Sequence, residues 1–390
     1  MKKILIAVAY MNSAGTEKAM LNFINALPKE RIEITVLLIS ARLGVWQDKI
    51  PKYCKVVEVD IDEKSKYNAV FGVKEAIFRN LKKGRVFKAF SLFFKRVFKK
   101  NMMPQVELDW HDIPSIDENY DLAICYMGHN PFLVKYIAYK VSANKKCMFI
   151  HSSFSSASYR LDFCEGLEKY NYFYGVSKQL KAELEKFLDP KKVKLFHNFV
   201  PVNEIKLKAD ENGDVFNEYN GIKLLTIGRL SSEKGIDIAI GTMFLLKKKF
   251  ANLKWYVIGG GPLEKKLKHK VKRLKLKKDF IFLGIQDNPY KFLNKCDIYI
   301  QPSRYEGYST TVNEARVLCK PIIATDVSGT SEMLVDGENG FIAAINKKAI
   351  LTAILKILRD NNIKQKFVDN LKSIDFSNKV NLNDFFADNL

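Results

Sequence analysis

Two kinds of apolar spacing alternate along this chain. Short continuous apolar runs occur at Glu33 to Ile39, Val56 to Val59, Asp121 to Tyr126, Lys146 to Ile150 and Tyr172 to Val176. They recur at Lys223 to Gly228, Lys254 to Ile258, Phe280 to Leu283, Asp297 to Ile300 and Pro321 to Ala324. Runs of this length, bounded by turn residues, predict buried strands. Between them lie segments whose apolar residues are three and four apart, as in amphipathic helices. A strand, a Gly-containing loop and a helix are expected at Lys3 to Leu27, and the same unit echoes at Lys223 to Leu246. This alternation predicts an α/β chain of two similar halves, each a parallel sheet wound on both faces. The boundary is expected between Pro201 and Gly221, where Lys206 to Asn220 is polar and poor in periodicity.

Length and composition agree with that organisation. A chain of 390 residues with 47% hydrophobic content is long enough for two to three domains with substantial cores. Cys54, Cys125, Cys147, Cys164, Cys296 and Cys319 form no CxxC pair and mostly sit in apolar surroundings, as reduced core residues of a cytosolic protein do. Lys2-Lys3 and the apolar run to Met11 imitate a short secretory signal, but the following turn and amphipathic helix favour a β-turn-α unit. No apolar run approaches the length of a membrane-spanning helix.

Candidate chemistry concentrates in the second half. Glu306-Gly-Tyr-Ser-Thr-Thr-Val-Asn-Glu314 places two carboxylates where a strand passes through a Gly turn into a helix. Glu306 is expected on the loop and Glu314 inside the helix. The free N–H groups around Ser309, Thr310 and Thr311 then form a natural phosphate pocket. Upstream, Gly228 ends a strand and is followed by Arg229 and, four residues between, Lys234. Breaking a sugar–diphosphate bond leaves negative charge that a metal or fixed cations must neutralise. Arg229 can fork onto two phosphate oxygens, and Lys234 offers a movable point charge. No metal is then required.

With these residues in view, the chain resembles retaining glycosyltransferase family 4, a large GT-B group that moves sugars from nucleotide donors. The resemblance runs through Gly15-Thr16-Glu17, Val176-Ser177, His197-Asn198, Gly228-Arg229, Glu233-Lys234-Gly235 and Gly259 to Pro262. It continues through Phe282-Leu283-Gly284, Pro302-Ser303, the Glu306/Glu314 pair, Pro321 to Asp326 and Gly337 to Gly340. It implies two Rossmann-like domains whose parallel sheets face an interdomain cleft. Residues 1–205 would bind the acceptor, residues 206–374 the nucleotide sugar, and residues 375–390 would cross back onto the first domain.

The resemblance also implies roles. Glu314 would accept hydrogen bonds from the ribose hydroxyls, Glu306 would hold hydroxyls of the donor sugar, and Arg229 with Lys234 would hold the diphosphate. Gly15 would let backbone approach the phosphates, and His151 would face the donor sugar. Each has a plainer alternative: a solvated helix carboxylate, a turn carboxylate, surface charge, a turn glycine and a structural histidine. Ala14, Thr330 and the Tyr308 to Thr311 segment depart from the common family pattern, which leaves sugar and base preference open. The implied mechanism is a same-face displacement in which the leaving phosphate helps to deprotonate the acceptor hydroxyl. No cofactor and no metal are expected.

Competing readings are weaker. Gly259-Gly-Gly261-Pro-Leu-Glu264 resembles a dinucleotide fingerprint but carries Glu at the third Gly position. Asp60-Ile-Asp62 resembles a metal-binding Asp-x-Asp and is read as a strand end. A sugar-nucleotide epimerase would grip the same donor, and a basic nucleic-acid- or membrane-binding protein without catalysis is the alternative of another class. Much of the net charge of +21 gathers at Lys82 to Lys100 and at Lys265 to Lys278. In the first stretch Phe87, Phe90, Phe94 and Phe98 face one side and Lys88, Lys95 and Lys99 the other. That suits a helix in an anionic membrane interface or one packed onto the first sheet. The second stretch is expected to be a solvated helix. No nucleic-acid module is recognisable. The expected protein is cytoplasmic or peripheral on the membrane, extending a lipid-linked or surface polysaccharide.

Overall fold

The computed structural model describes residues 1–9, 11, 15–39, 46–59, 113–152, 164–211, 213, 215–216, 219–376 and 382–390. The Phe/Lys-rich stretch Lys82 to Lys100, Asp60-Ile-Asp62, Ala14 and most of the serine-rich loop after His151 lie outside the described residues.

Two parallel sheets organise the molecule. The first contains β1 (Lys2–Val8), β2 (Ile32–Leu38), β3 (Lys55–Glu58), β4 (Ile116–Cys125), β5 (Val141–Ile150), β6 (Tyr172–Gly175) and β7 (Val193–Leu195), in the order β3-β2-β1-β4-β5-β6-β7. The second contains β8 (Ile222–Ile227), β9 (Leu253–Ile258), β10 (Phe280–Gly284), β11 (Ile298–Gln301), β12 (Ile322–Thr325) and β13 (Phe341–Ala343), in the order β10-β9-β8-β11-β12-β13. The central strands are buried on both faces: Ile4 to Val8 are inaccessible along their whole length. Continuous burial explains why β1 reads as an unbroken apolar run rather than an alternating one. Register follows, with Ile4 beside Ile34 on one side and Leu122 on the other. In both sheets the order reverses at the first strand, between β1 and β4 and between β8 and β11. Loops leaving the carboxyl ends of those pairs diverge and open a crevice, which is where such sheets bind ligands.

The second sheet has an apolar layer on each face. Trp255, Met243 and Ile354 lie in one layer, Leu225, Tyr256, Val312 and Ala315 in the other. The first domain is filled by an aromatic stack in which Phe149 lies 4.9 Å from Tyr126 and 5.1 Å from Tyr174. Phe385, from the terminal helix Leu382–Asn389, inserts into that stack 5.5 Å from Phe23. Asn389 Nδ2 donates to the Tyr174 hydroxyl at 2.6 Å, and Lys145 Nζ to the Asp388 carbonyl at 2.7 Å. The C-terminus therefore packs with the first domain.

The connection between domains differs from its sequence pattern. The helix Val202–Ala209 spans positions 205 and 206 and buries only Ile205 and Ala209, against Tyr290 and Val317 of the second domain. Two buried positions on so short a helix leave no readable period. The strands β7 and β13, three residues each, are also too short to stand out.

Direct contacts join the domains. Ser177 Oγ meets Ser328 Oγ at 3.1 Å, and Asn198 Nδ2 donates to the Tyr308 carbonyl at 3.3 Å. Glu332 accepts from the Lys178 backbone N–H at 2.8 and 3.0 Å, at the N-terminus of the helix Lys178–Leu184, where the helix dipole favours an anion. His197 Nε2 lies 3.0 Å from Glu332 Oε2, and its ring stacks on Tyr308 at 4.6 Å.

Candidate functional site

The carboxyl ends of β8 and β11 bring Lys234 and Glu306 together. The loop after β8 turns at Gly235, whose φ of 62° lies in the left-handed region. A Cβ there would collide with the Pro302 carbonyl at the end of β11, so only glycine lets these two loops meet. Lys234 Nζ is thereby held 2.7 and 2.8 Å from the two oxygens of Glu306. The Glu306 side chain is 9% exposed. Its Oε1 also accepts from Ser303 Oγ at 2.6 Å and Gln301 Nε2 at 2.9 Å. Gln301 is oriented in turn: its Oε1 accepts from Thr311 Oγ1 at 3.2 Å and from the Tyr299 hydroxyl. Among the described residues Oε2 of Glu306 has Lys234 alone, which leaves it acceptor capacity toward the cleft. Such a network holds a carboxylate and an ammonium in one geometry before any ligand arrives.

Arg229 lies exposed just beyond β8, near Glu233. The Glu233 carboxyl is shifted by two opposing influences: burial raises it, while the Ser231 hydroxyl, Arg229 and Lys234 hold it below its ordinary value. Gly228 faces the stem of Lys234, and its carbonyl approaches Gly259 where no side chain would fit. Ser309 caps the helix Thr310–Val317, accepting from the Val312 N–H at 3.4 Å. The helix start thus points toward the cleft beside Glu306, with Thr310 and Thr311 in its first turn.

Glu314 lies one turn further along, with its side chain only 2% exposed. Its Oε1 sits 2.6 Å from Lys18 Nζ, from the helix Gly15–Ala26 of the first domain. Burial raises the Glu314 carboxyl above its usual range, against the pull of Lys18. Gly15 begins the Lys18 helix, and a Cβ there would approach Thr310 Oγ1.

His151 follows β5 and reaches the second domain through its backbone. A Cβ on Gly307 would overlap the His151 carbonyl oxygen. The ring nitrogens of His151 are buried, and the imidazole lies 4.9 Å from the Tyr126 ring. Burial, assisted by His129, pushes its pKa down to about 3, so the ring is neutral at physiological pH. A neutral imidazole can donate one hydrogen bond and accept another but cannot neutralise a diphosphate.

The structure brings Arg229, Lys234, Glu306, Ser309, Thr310, Thr311 and Glu314 to one edge of the second sheet, with Gly15 and His151 opposite. Lys18, Gln301 and Tyr290 were not singled out from sequence. Gln301 had a readable position, the last residue of an apolar strand in front of Pro302-Ser303. Lys18 and Tyr290 had no signal. A crevice of about 590 Å³ lies on the other side of the helix Thr310–Val317, lined by Tyr174, His197, Tyr308, Asn313, Arg316 and Asp384. It does not contain the carboxylate pair, which the Lys18 contact and the Gly307 contact enclose.

Residues 210–373 match the family model for glycosyl transferases group 1. The second domain is a glycosyltransferase domain. The chain shares 27% identity over 188 residues with an N-acetylgalactosamine-N,N'-diacetylbacillosaminyl-diphospho-undecaprenol 4-alpha-N-acetylgalactosaminyltransferase of Campylobacter jejuni, covering 48% of this chain and 50% of the relative. It shares 29% identity over 149 residues with the capsular polysaccharide biosynthesis glycosyltransferase CapM of Staphylococcus aureus, covering 36% of this chain and 37% of the relative. The chain therefore spans half or less of these curated relatives. The structure of Anabaena HepE in complex with UDP-glucose superposes with a TM-score of 0.71 at 15% identity, covering 99% of both chains. The fold is GT-B, with the glycosyltransferase domain forming one wall of the cleft and the seven-stranded domain the other. Among the described residues, no helix is long and apolar enough to cross a membrane.

Proposed function

We propose that this protein transfers a hexose-type sugar, with retention of configuration, from a uridine diphosphate donor to a hydroxyl of a lipid-linked or surface-polysaccharide acceptor. The observation that carries the proposal is the Lys234–Glu306 pair, braced by Gln301 and Ser303 at the switch point of the second sheet. In this reading Oε2 of Glu306 accepts from a hydroxyl of the donor sugar. Lys234 then lies between that sugar and the diphosphate, where negative charge grows as the C1–O bond to phosphate breaks. Arg229 and the amides at the start of the helix Thr310–Val317 share that charge, so no divalent ion is called on. The acceptor oxygen bonds to C1 from the face the phosphate leaves, and its proton passes to the departing diphosphate. Glu314 holds the ribose. His151, neutral, is read as part of the first-domain wall beside the sugar.

Uridine is supported by the nucleotide in the HepE structure, and a lipid-linked or polysaccharide acceptor by the printed activities of the Campylobacter and Staphylococcus relatives. A cytoplasmic position at the inner membrane face fits such an acceptor, with Lys82 to Lys100 as the anionic-lipid contact. The test is a thermal-shift series with UDP, GDP and ADP and their hexoses, with and without chelator, followed by an assay for released nucleotide. A chelator-insensitive shift with UDP, and release that requires an acceptor, support transfer. Release without acceptor, or no shift with any nucleotide, counts against it.

A further inference from the structure

Lys18 is the cation that the first domain sends across the cleft. It projects from the helix Gly15–Ala26, and its Nζ sits 2.6 Å from Oε1 of Glu314 and 4.8 Å from the centre of the Tyr290 ring. Its side chain is 20% exposed, against 2% for Glu314, so the ion pair closes over the carboxylate from the first-domain side. Among the described residues the other oxygen, Oε2, is buried without a hydrogen-bond partner. A buried carboxylate in that state calls for a donor, because desolvating an anion without one is costly.

Among the described residues the groups that face Glu314 are few. Besides Lys18 they are the Tyr290 hydroxyl from the helix Tyr290–Lys295, Glu204 from the helix Val202–Ala209, and Tyr299 from β11. Glu204 disfavours a second negative charge, and the tyrosines are neutral. Lys18 is thus the cation that favours the charged form of Glu314 among these groups. Burial works against the charge of Lys18 itself, but Glu314 and Tyr290 outweigh it and hold its pKa above the ordinary lysine value. The pair is mutually supporting, and its halves belong to different domains.

We propose that Lys18 is a positioning residue that completes the nucleotide grip: by holding Oε1 of Glu314 it leaves Oε2 to accept from a ribose hydroxyl, and it ties nucleotide affinity to closure of the cleft. The inference rests on the ribose reading of Glu314 above. It adds that the second domain alone holds an incomplete site, because the cation that favours the charged form of its carboxylate comes from the opposite wall. A nucleoside diphosphate with both ribose hydroxyls is the ligand that benefits.

The test is titration calorimetry with UDP and with 2′-deoxy-UDP, from pH 5.5 to 8.5, on wild type, Lys18→Met, Lys18→Arg and Glu314→Gln. Methionine retains most of the apolar stem, and circular dichroism checks that each variant is folded. The expected result is about tenfold weaker UDP binding by Lys18→Met near pH 7, the size of one lost hydrogen bond to a charged group. Its affinity should rise with pH beyond any slope in wild type, because a carboxyl without its cation ionises only at higher pH. Lys18→Arg should recover most of the affinity, and the 2′-deoxy penalty should shrink in Lys18→Met. Unchanged affinity in Lys18→Met, or a loss with no added pH slope, overturns the role of Lys18. If wild type binds no UDP, or Glu314→Gln binds it as tightly as wild type, the ribose reading is what fails.

Discussion

The two sheets share one strand order yet present opposite chemistry at their carboxyl ends. In the glycosyltransferase domain the loops after β8 and β11 carry Lys234, Glu306, Gln301 and Ser303 in a charged, hydrogen-bonded network. In the first domain the residues just beyond β4 and β5 include Tyr126, Gly128 and His151, and the His151 imidazole is buried and neutral among aromatic rings. Topology explains why each sheet opens a crevice at its first strand, and it is silent on what lines it. Under the proposed function, the difference suits a division of work in which one wall stabilises a departing diphosphate and the other shapes an uncharged sugar.

Removing the charge from the polar wall is the strongest way to break this contrast. Lys234→Ala should lower turnover on the order of 10²-fold or more, the usual loss for one preorganised transition-state donor. Single-turnover kinetics on folded protein would show it, and near-normal turnover would remove Lys234 from the reaction. Gly307→Ala attacks the point where the walls meet. Its Cβ would overlap the His151 carbonyl, so the cleft must open, and a displacement of about 1 Å costs about 10²-fold where reacting groups are positioned. Small-angle scattering should find the variant more open than wild type, and an unchanged profile with full activity would contradict the closed contact. Ser303→Ala deletes one hydrogen bond to Glu306 and should cost about tenfold in kcat/KM for the donor, with stability nearly unchanged.

A further expected effect, on stability rather than on turnover, concerns the neutral wall and sharpens the contrast. Below about pH 6.5 an unfolded histidine binds a proton, whereas folded His151 stays neutral until about pH 3. The unfolded state then holds more protons, so stability should fall as pH drops through that window, by at most about 1.4 kcal/mol per pH unit for this residue. His151→Asn should show a shallower loss of melting temperature between pH 6.5 and 4. Parallel curves for variant and wild type would mean that the imidazole is protonated in the folded protein.

Much of this arrangement was legible from local pattern. Glu306 and Glu314 could be placed on loop and helix because Pro302, Gly307 and the spacing of Val312 and Ala315 mark where the strand stops and the helix starts. The double-sheet fold was legible because buried parallel strands require continuous apolar runs, as in Ile4 to Val8. The helix Val202–Ala209 was not, since it buries two residues, nor were β7 and β13, which have only three residues each. Gln301 was readable as a strand end, but its role depends on Tyr299 and Thr311 converging on one oxygen. Lys18 was invisible among the 64 lysines and arginines of the chain, because nothing in its neighbours distinguishes a surface lysine from one that crosses a cleft.

The amino-acid sequence by itself determined the alternation of strands and helices, the glycine turns after β8 and β11, and which charged residues lie on those turns. These depend on near neighbours, through burial periodicity and the backbone freedom of glycine. Only the tertiary structure decided which charges meet. The Lys234–Glu306 contact spans 72 positions and joins two loops at the ends of adjacent strands. The Lys18–Glu314 contact joins two domains, because each pair needs a partner that packing delivers from a distant part of the chain.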